Sequence, residues 1–457
     1  MARSSATTIE IPRLRAAFDG RVTAPGDAGY DQARTIFYGG FDQRPAAIIR
    51  PADAAGVAQV VNLARDGGLE LAVRCGGHSS AGHGLSDGGI VLDLSELTAI
   101  DIDAEARTAW AQTGLTAGAY TEAVQPHGLV TGFGDTGSVG IGGLTLGGGV
   151  GYLVRSHGLT IDSLLAAELV TADGRVLRVD AEAHPDLFWA IRGGGGNFGV
   201  ATRLKFRLHP LDGIVGGMLL LPATAQVIAD FMSAAEAAPE ELSAIANVMV
   251  APPMPFLPAS AHGQLVVMAM LAYAGDAEAG ERAVAPFRAL AEPLADMVRP
   301  MPYAGMFPPE EEFHPTAVGH TMFVDRVDGT VADTIVEHLQ PSDAAMRAVQ
   351  LRALGGAVAR VPVEATAFAH RHSRIMANVG AFYDGPADRD RRQAWVDGLA
   401  AALHQGDDGA YVNFLGDEGP ERVHQAYPGP TWDRLVEVKR RYDPDNLFRR
   451  NQNIPPG

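Results

Sequence analysis

The sequence predicts an α+β protein of two domains with its ligand site in the first, and three observations predict it. Glycine, 54 of 457 residues, gathers in dense runs at 75–89, 132–151 and 193–199, all in the first half of the chain. Glycine costs backbone entropy, so such runs mark places where the chain turns sharply or approaches a ligand closely. The opening reads β-α-β, with a glycine loop directly after a strand. After Pro210 glycine thins out, and strand-like and helical runs alternate.

Taken in order, residues 46–51 read as a short strand ended by Pro51. Residues 53–64 read as a helix with Asp53 as N-cap. Residues 69–74 return as a strand that runs into Gly76-Gly77-His78, and 89–94 form another. The runs 166–171 and 175–179 flank Ala172-Asp173-Gly174, a hairpin signature. In the second half, 265–272, 321–327, 349–354 and 374–381 read as strands and 251–258 as a proline-rich loop. Residues 411–414 are strand-like, which places Tyr411 and Asn413, two apart, on the same face; 431–441 form a basic-ended helix stopped before Pro444, and the tail from Asn451 is rich in amides. The domain boundaries follow as 1–212, 213–408 and a closing segment, 409–457, whose amides bring it back to the first domain.

Composition narrows the function. A hydrophobic fraction of 47% with 20% charged residues is that of a globular protein. No stretch approaches the apolar length of a membrane helix, and residues 1–15 lack the apolar core of a secretory signal. The single cysteine, Cys75, excludes an intrachain disulfide framework and suits the cytoplasm. The formal charge of −18 repels nucleic acid and anionic lipid, so neither is expected as a partner. No metal site is expected, and the sequence carries no oligomer signal.

The glycine runs suit an anion, because backbone N–H groups in such loops converge on phosphate. They do not suit a nicotinamide fingerprint: residues 140–145 do not match its spacing, and 147–151 is too rich in glycine to begin a helix. No glycine run is followed by Lys-Ser or Lys-Thr, which excludes a Walker loop. The alternative is a set of turns without ligand.

Four motifs in order carry a resemblance over almost the whole chain. They are Arg74-Cys75-Gly76-Gly77-His78 with Gly82, the run from Ser138 to Leu153 with Arg155 and His157-Gly158-Leu159, the run from Asp186 to Gly199, and Tyr411-x-Asn413 with Tyr442-Asp443-Pro444 and Asn451-Gln452-Asn453. The chain resembles the vanillyl-alcohol oxidase and berberine bridge enzyme superfamily, most weakly between 213 and 345. The resemblance implies a two-subdomain FAD-binding domain of PCMH type. It also implies a substrate domain with an antiparallel sheet covered by helices. It further implies FAD held by Arg74, Cys75, Gly76, Gly77, His78, Ser79, Ser80 and Gly82 of the first loop. Gly137, Ser138, Gly142, Gly143, Gly148, Gly149 and Gly151 would hold it from the second loop, Gly199 and Val200 from the third, and Asn413, Asn451 and Gln452 from the closing segment.

In that family the loop histidine carries the flavin at its 8α carbon, which assigns the covalent link to His78. The alternatives are a loop histidine bonded to a carbonyl, or His83 as the attachment site, although His83 lies past the glycine pattern. Some members add a cysteinyl link at a position that falls here near Thr136, where no cysteine stands, so a single link is expected. Cys75 reads otherwise as a small buried filler. The resemblance puts Tyr411 and Asn413 on the substrate side of the ring, with Tyr411 handling the substrate proton as hydride leaves; a core tyrosine is the alternative. Asn451 and Gln452 read otherwise as a C-terminal cap. Met249, Met268, Met270, Met322, Arg352 and Met376 either floor a pocket or pack a core. The expected activity is an FAD-dependent oxidase acting on a small alcohol, amine or secondary-metabolite intermediate, with dioxygen as acceptor. A dehydrogenase with another acceptor is one alternative, and a flavoprotein catalysing a non-oxidative or cyclisation step is the other.

Overall fold

The computed structural model describes residues 9–19, 21–309 and 313–457. The expectation about a secretory signal falls partly on residues 1–8, outside the described residues.

The opening strand-helix-strand forms as the sequence predicts. Helix Ala54–Gly67 is capped by Asp53, whose carboxylate accepts from the Gly56 N–H at 2.8 Å. It buries Val57, Val60, Val61 and Ala64 completely, the i, i+3, i+4, i+7 face of a packed helix. The strands Ala47–Ile49 and Leu71–Arg74 flank Ile90–Asp93 in parallel, and Val22–Thr23 closes the sheet as its antiparallel edge. A second, antiparallel sheet of five strands follows. Its order is Ile100–Asp103, Thr108–Gln112, Val200–Arg207, Leu164–Val170 and Val176–Asp180. The last two strands form the hairpin turned at Asp173-Gly174.

Eight antiparallel strands between Ile214 and Phe382 build the third large sheet. Five of them lie side by side in the order Leu265–Ala274, Leu242–Val250, Arg347–Ala353, Ile375–Phe382 and Ala317–Val324, the last at the edge. Side chains alternate between its faces. Val349, Leu351 and Val379 point into a core with helix residues Phe231, Ile335 and Leu399, all at most 1% exposed. Ala348, Gln350 and Arg352 take the opposite face. The methionines pack into apolar clusters: Met322 with the helices, Met249 and Met268 beside Leu220, Met270 beside Tyr303, and Met376 beside Phe323 and Phe368. Of the six pocket candidates, only Arg352 reaches the cavity.

One reading is corrected. Residues 411–414 are not a strand: Tyr411 is extended, and Val412–Phe414 is a 3-10 turn closed by Phe414 N–H to the Tyr411 carbonyl. Among the described residues no strand pairs with this segment, and its turn is closed locally.

The closing segment is anchored by a buried charge. Lys439, fully buried on helix Pro430–Tyr442, donates to the Asp443 carboxylate at 2.7 Å and to the carbonyls of Asn197 and Phe448 at 2.8 and 2.9 Å. Asp443 also accepts the N–H groups of Leu447 and Phe448. Asn197 in turn bonds Gln452 and Ile454, which holds the tail against the third glycine loop. Among the described residues, no helix is long and apolar enough to cross a membrane. Lys439→Met leaves a buried carboxylate and two carbonyls uncompensated, and is expected to cost about 3–5 kcal/mol of stability in urea denaturation.

Candidate active site

The first glycine loop leaves strand Leu71–Arg74 and meets the second backbone to backbone. A Cβ on Gly76 would collide with the Gly140 amide, and one on Gly140 with the Gly76 amide. Arg74 turns behind the loop and donates to the Ala33 carbonyl and to Asp93, both at 2.7 Å, while Arg50 reaches the same carboxylate at 2.9 Å. Burial raises the Asp93 carboxyl, but the two guanidinium groups outweigh it and hold it below its ordinary value. One nitrogen of Arg74, Nη1, is buried without a partner.

His78 stands at the junction of the two loops. Its ring stacks on Phe37 with centroids 4.3 Å apart, and its Nε2 lies 3.0 Å from the Ser138 hydroxyl. His83 is half-buried nearby, and desolvation together with the Arg450 charge pushes its imidazole down to about 4. Cys75 packs under Gly142, and burial pushes its thiol up to about 11, so it stays protonated at neutral pH.

A cavity of about 750 Å³ lies between the loops and the free face of the eight-stranded sheet. Arg74, Cys75, Gly76, Gly77, His78, Ser79, Ser80, Gly142, Gly143, Gly199, Val200, Tyr411, Asn413, Asn451 and Gln452 line it. Gly82, Gly137, Ser138, Gly148, Gly149 and Gly151 do not line it. Of these, Ser138 bonds His78, and Gly149 bonds Tyr411.

Tyr411 is 2% exposed, and its hydroxyl oxygen receives three donors. They are the Gly149 N–H at 2.9 Å, the Val150 N–H at 3.3 Å and the Asn413 side-chain amide at 2.9 Å. Gly149 presents its N–H from a left-handed φ of 83°, a conformation that favours glycine. Burial pushes the phenol up from its usual 10, and the three hydrogen bonds together with the Arg352 charge oppose that shift. Tyr411 and Asn413 therefore meet, but through the turn and not through strand alternation.

Arg352 faces Tyr411 from the sheet. It forms an ion pair with Asp135, donates to the Gln350 side-chain oxygen at 2.9 and 2.7 Å, and lies 5.2 Å over the Phe414 ring. It also donates to the Val150 carbonyl at 3.4 Å, so one residue, Val150, links Arg352 to Tyr411 through its carbonyl and its N–H. Sequence reasoning singled out Arg352 but missed Asp135, Phe37, Asn247, Gln350 and Asn378. Asn247, Gln350 and Asn378 form a carboxamide row, directly opposite one another on three adjacent strands, which no local pattern in the sequence announces; Phe37 and Asp135 lie in irregular segments and carry no signal either.

Residues 45–180 match the family model for an FAD binding domain, and residues 410–455 match the berberine and berberine-like family model. The chain is 31% identical to (R)-6-hydroxynicotine oxidase of Paenarthrobacter nicotinovorans, over 96% of this chain and 97% of that one. It is 27% identical to xylooligosaccharide oxidase of Thermothelomyces thermophilus, over 95% and 92%. The solved structure of 6-hydroxy-D-nicotine oxidase from Arthrobacter nicotinovorans superimposes with a TM-score of 0.85 at 29% identity, covering 96% of this chain and 98% of that one.

The loop junction predicts a contrast between two glycines. Gly76→Val is expected to cost about 1–3 kcal/mol in chemical denaturation through overpacking. Gly143→Ala, whose added carbon meets nothing within 4 Å, is expected to change stability by less than about 0.5 kcal/mol when no ligand is added.

Proposed function

The chain belongs to the FAD-linked oxidoreductases of the berberine bridge enzyme-like family, and from that premise we propose that Tyr411 removes the substrate proton while hydride leaves for an FAD joined to His78. The protein is an FAD-dependent oxidase of small organic substrates. The observation that carries the proposed mechanism is the convergence of three hydrogen-bond donors on the Tyr411 oxygen at the wall of the cavity.

The residues present fit FAD. The glycine loops lie too close for side chains between them, and Arg74 keeps a buried donor unpaired. At the other side of the cavity the Asn451 side-chain oxygen is buried with no partner, matching a donor that only a ligand can supply. FAD, when bound, accepts the hydride and passes the electron pair to dioxygen.

The chain's own residues do the rest. Three N–H groups stabilise negative charge on the Tyr411 oxygen and leave its proton the one direction not taken by a donor. Asn413 also donates to the Leu144 carbonyl at 2.9 Å, which fixes its amide and thereby the phenol. Phe37 and Ser138 hold the His78 ring in plane and in reach of the cavity. Attachment through a single link is supported by the position of the only cysteine, since Cys75 lies beneath the second loop with a protonated thiol. That lone cysteine also supports a reducing, cytoplasmic setting.

Acid precipitation of the protein tests the link: the yellow colour stays in the wild-type pellet and leaves with the supernatant in His78→Ala. Colour released from both proteins would refute the covalent bond and leave the oxidase. Tyr411→Phe is expected to lower kcat by about 10²–10⁴, the usual worth of a positioned acid–base group. Because the base acts deprotonated and its phenol is raised, wild-type kcat should climb with pH without levelling below about 10, and Tyr411→Phe should flatten that climb in a steady-state pH profile.

A further inference from the structure

We infer that Asp135 is a positioning residue of the reaction: by closing on Arg352 it sets how tightly the Tyr411 oxygen holds its proton. The inference rests on the reading of Tyr411 as the base and adds the group that governs it.

Asp135 lies in the second glycine run and lines the cavity. One carboxylate oxygen accepts from Arg352, and the other from the Thr136 hydroxyl at 3.4 Å. Its backbone carbonyl accepts from the Tyr152 hydroxyl at 3.2 Å, so the residue is held by side chain and main chain alike. Arg352 is the more deeply buried partner, with its side chain 4% exposed against 24% for Asp135. A guanidinium carries five N–H donors but a single charge. Here the donors go to Asp135, to the Gln350 side-chain oxygen and to the Val150 carbonyl. Of these three acceptors only Asp135 is charged, and it alone cancels the cation.

What is left uncancelled acts on Tyr411. Arg352 and Tyr411 grip the same residue, Val150, one through its carbonyl and the other through its N–H. Both also lie against Phe414, Arg352 at 5.2 Å over the ring and Tyr411 edge-on with centroids 5.1 Å apart. A cation this near favours the phenolate, and a carboxylate paired with the cation takes part of that help away. Burial disfavours the phenolate, and Arg352 is the charge that opposes burial there.

The groups around the pair leave this relation intact. Burial, with the Asp135 charge behind it, pushes the phenols of Tyr38, Tyr152 and Tyr303 up, so they stay neutral at ordinary pH. Behind Tyr411 stands Phe368, and beyond it His370, whose imidazole burial pushes down and keeps neutral. Arg371 lies over Phe368 but is closed on Asp162. Arg389 and Asp417 line the cavity too, yet both are exposed, where water and salt screen them. The sign then follows. Without the carboxylate, Arg352 acts in full and Tyr411 releases its proton more readily; without the guanidinium, it holds the proton harder. Mere loosening of the site would move both variants the same way.

The test places a ring-difluorinated tyrosine at position 411 alone in the FAD-loaded full chain and follows its titration by fluorine NMR. The fluorines make the phenol more acidic, which brings the titration into a range where the protein is folded. Asp135→Asn, almost unchanged in shape, is expected to lower the midpoint by about one pH unit, and Arg352→Gln to raise it by about as much. Arg352→Lys, which keeps the charge, should fall between wild type and Arg352→Gln. Should one of the two main variants not fold, the sign of the other decides. A midpoint that stays in place, or that moves the same way in both variants, overturns the inference and leaves Tyr411 as the base. Midpoints that move as expected while Tyr411→Phe keeps the full climb of kcat with pH remove the base, and with it the role of Asp135 in the reaction.

Discussion

The meeting of three N–H groups on the Tyr411 oxygen is the constraint on which the rest of the site depends. It joins three parts of the chain that are distant in sequence: the second glycine loop through Gly149 and Val150, the closing segment through Tyr411 and Asn413, and the sheet through Arg352 and the Val150 carbonyl. Gly149 supplies its N–H only because its backbone is left-handed, and Asn413 is held by the Leu144 carbonyl. A shift in any of these parts moves the phenol. Donors fixed in advance around an atom where charge develops cost no reorganisation when the reaction occurs, which is where preorganised sites gain most.

Charges elsewhere in the molecule are buried by the same logic of compensation. Asp93 is shared by Arg50 and Arg74 behind the first loop, Lys439 is closed on Asp443 beneath the third, and Arg352 on Asp135 in the cavity wall. Each group would be costly to bury alone. The first two arrangements hold loops in place. The third commits Arg352 within the cavity wall.

Much of this was legible in the sequence, because local signals and tertiary demands agreed. Asp53 reads as an N-cap and is one, the Asp173-Gly174 hairpin forms, and the glycine runs fall where backbones meet. The four strands read in the second half all lie in one sheet. Tyr411 and Asn413 were paired for the wrong reason: a short alternating run reads as a strand, but without a partner strand the segment closes into a 3-10 turn, and the two side chains meet there. The ion pair of Asp135 with Arg352 spans 217 positions, and the stacking of Phe37 on His78 joins an irregular segment to a loop. Neither has a local pattern, since each depends on how separate elements pack. The carboxamide row likewise exists only once strand order and register are set.

Isotope effects on flavin reduction in rapid anaerobic mixing test the central claim that Tyr411 takes a proton as hydride departs. With an oxidisable substrate, deuterium at the reacting carbon and deuterated solvent should each slow reduction in the wild type, and the solvent effect should vanish in Tyr411→Phe while the carbon effect persists. A wild-type reduction rate insensitive to deuterated solvent, or a solvent effect unchanged in Tyr411→Phe, would contradict the account and assign proton removal to another group.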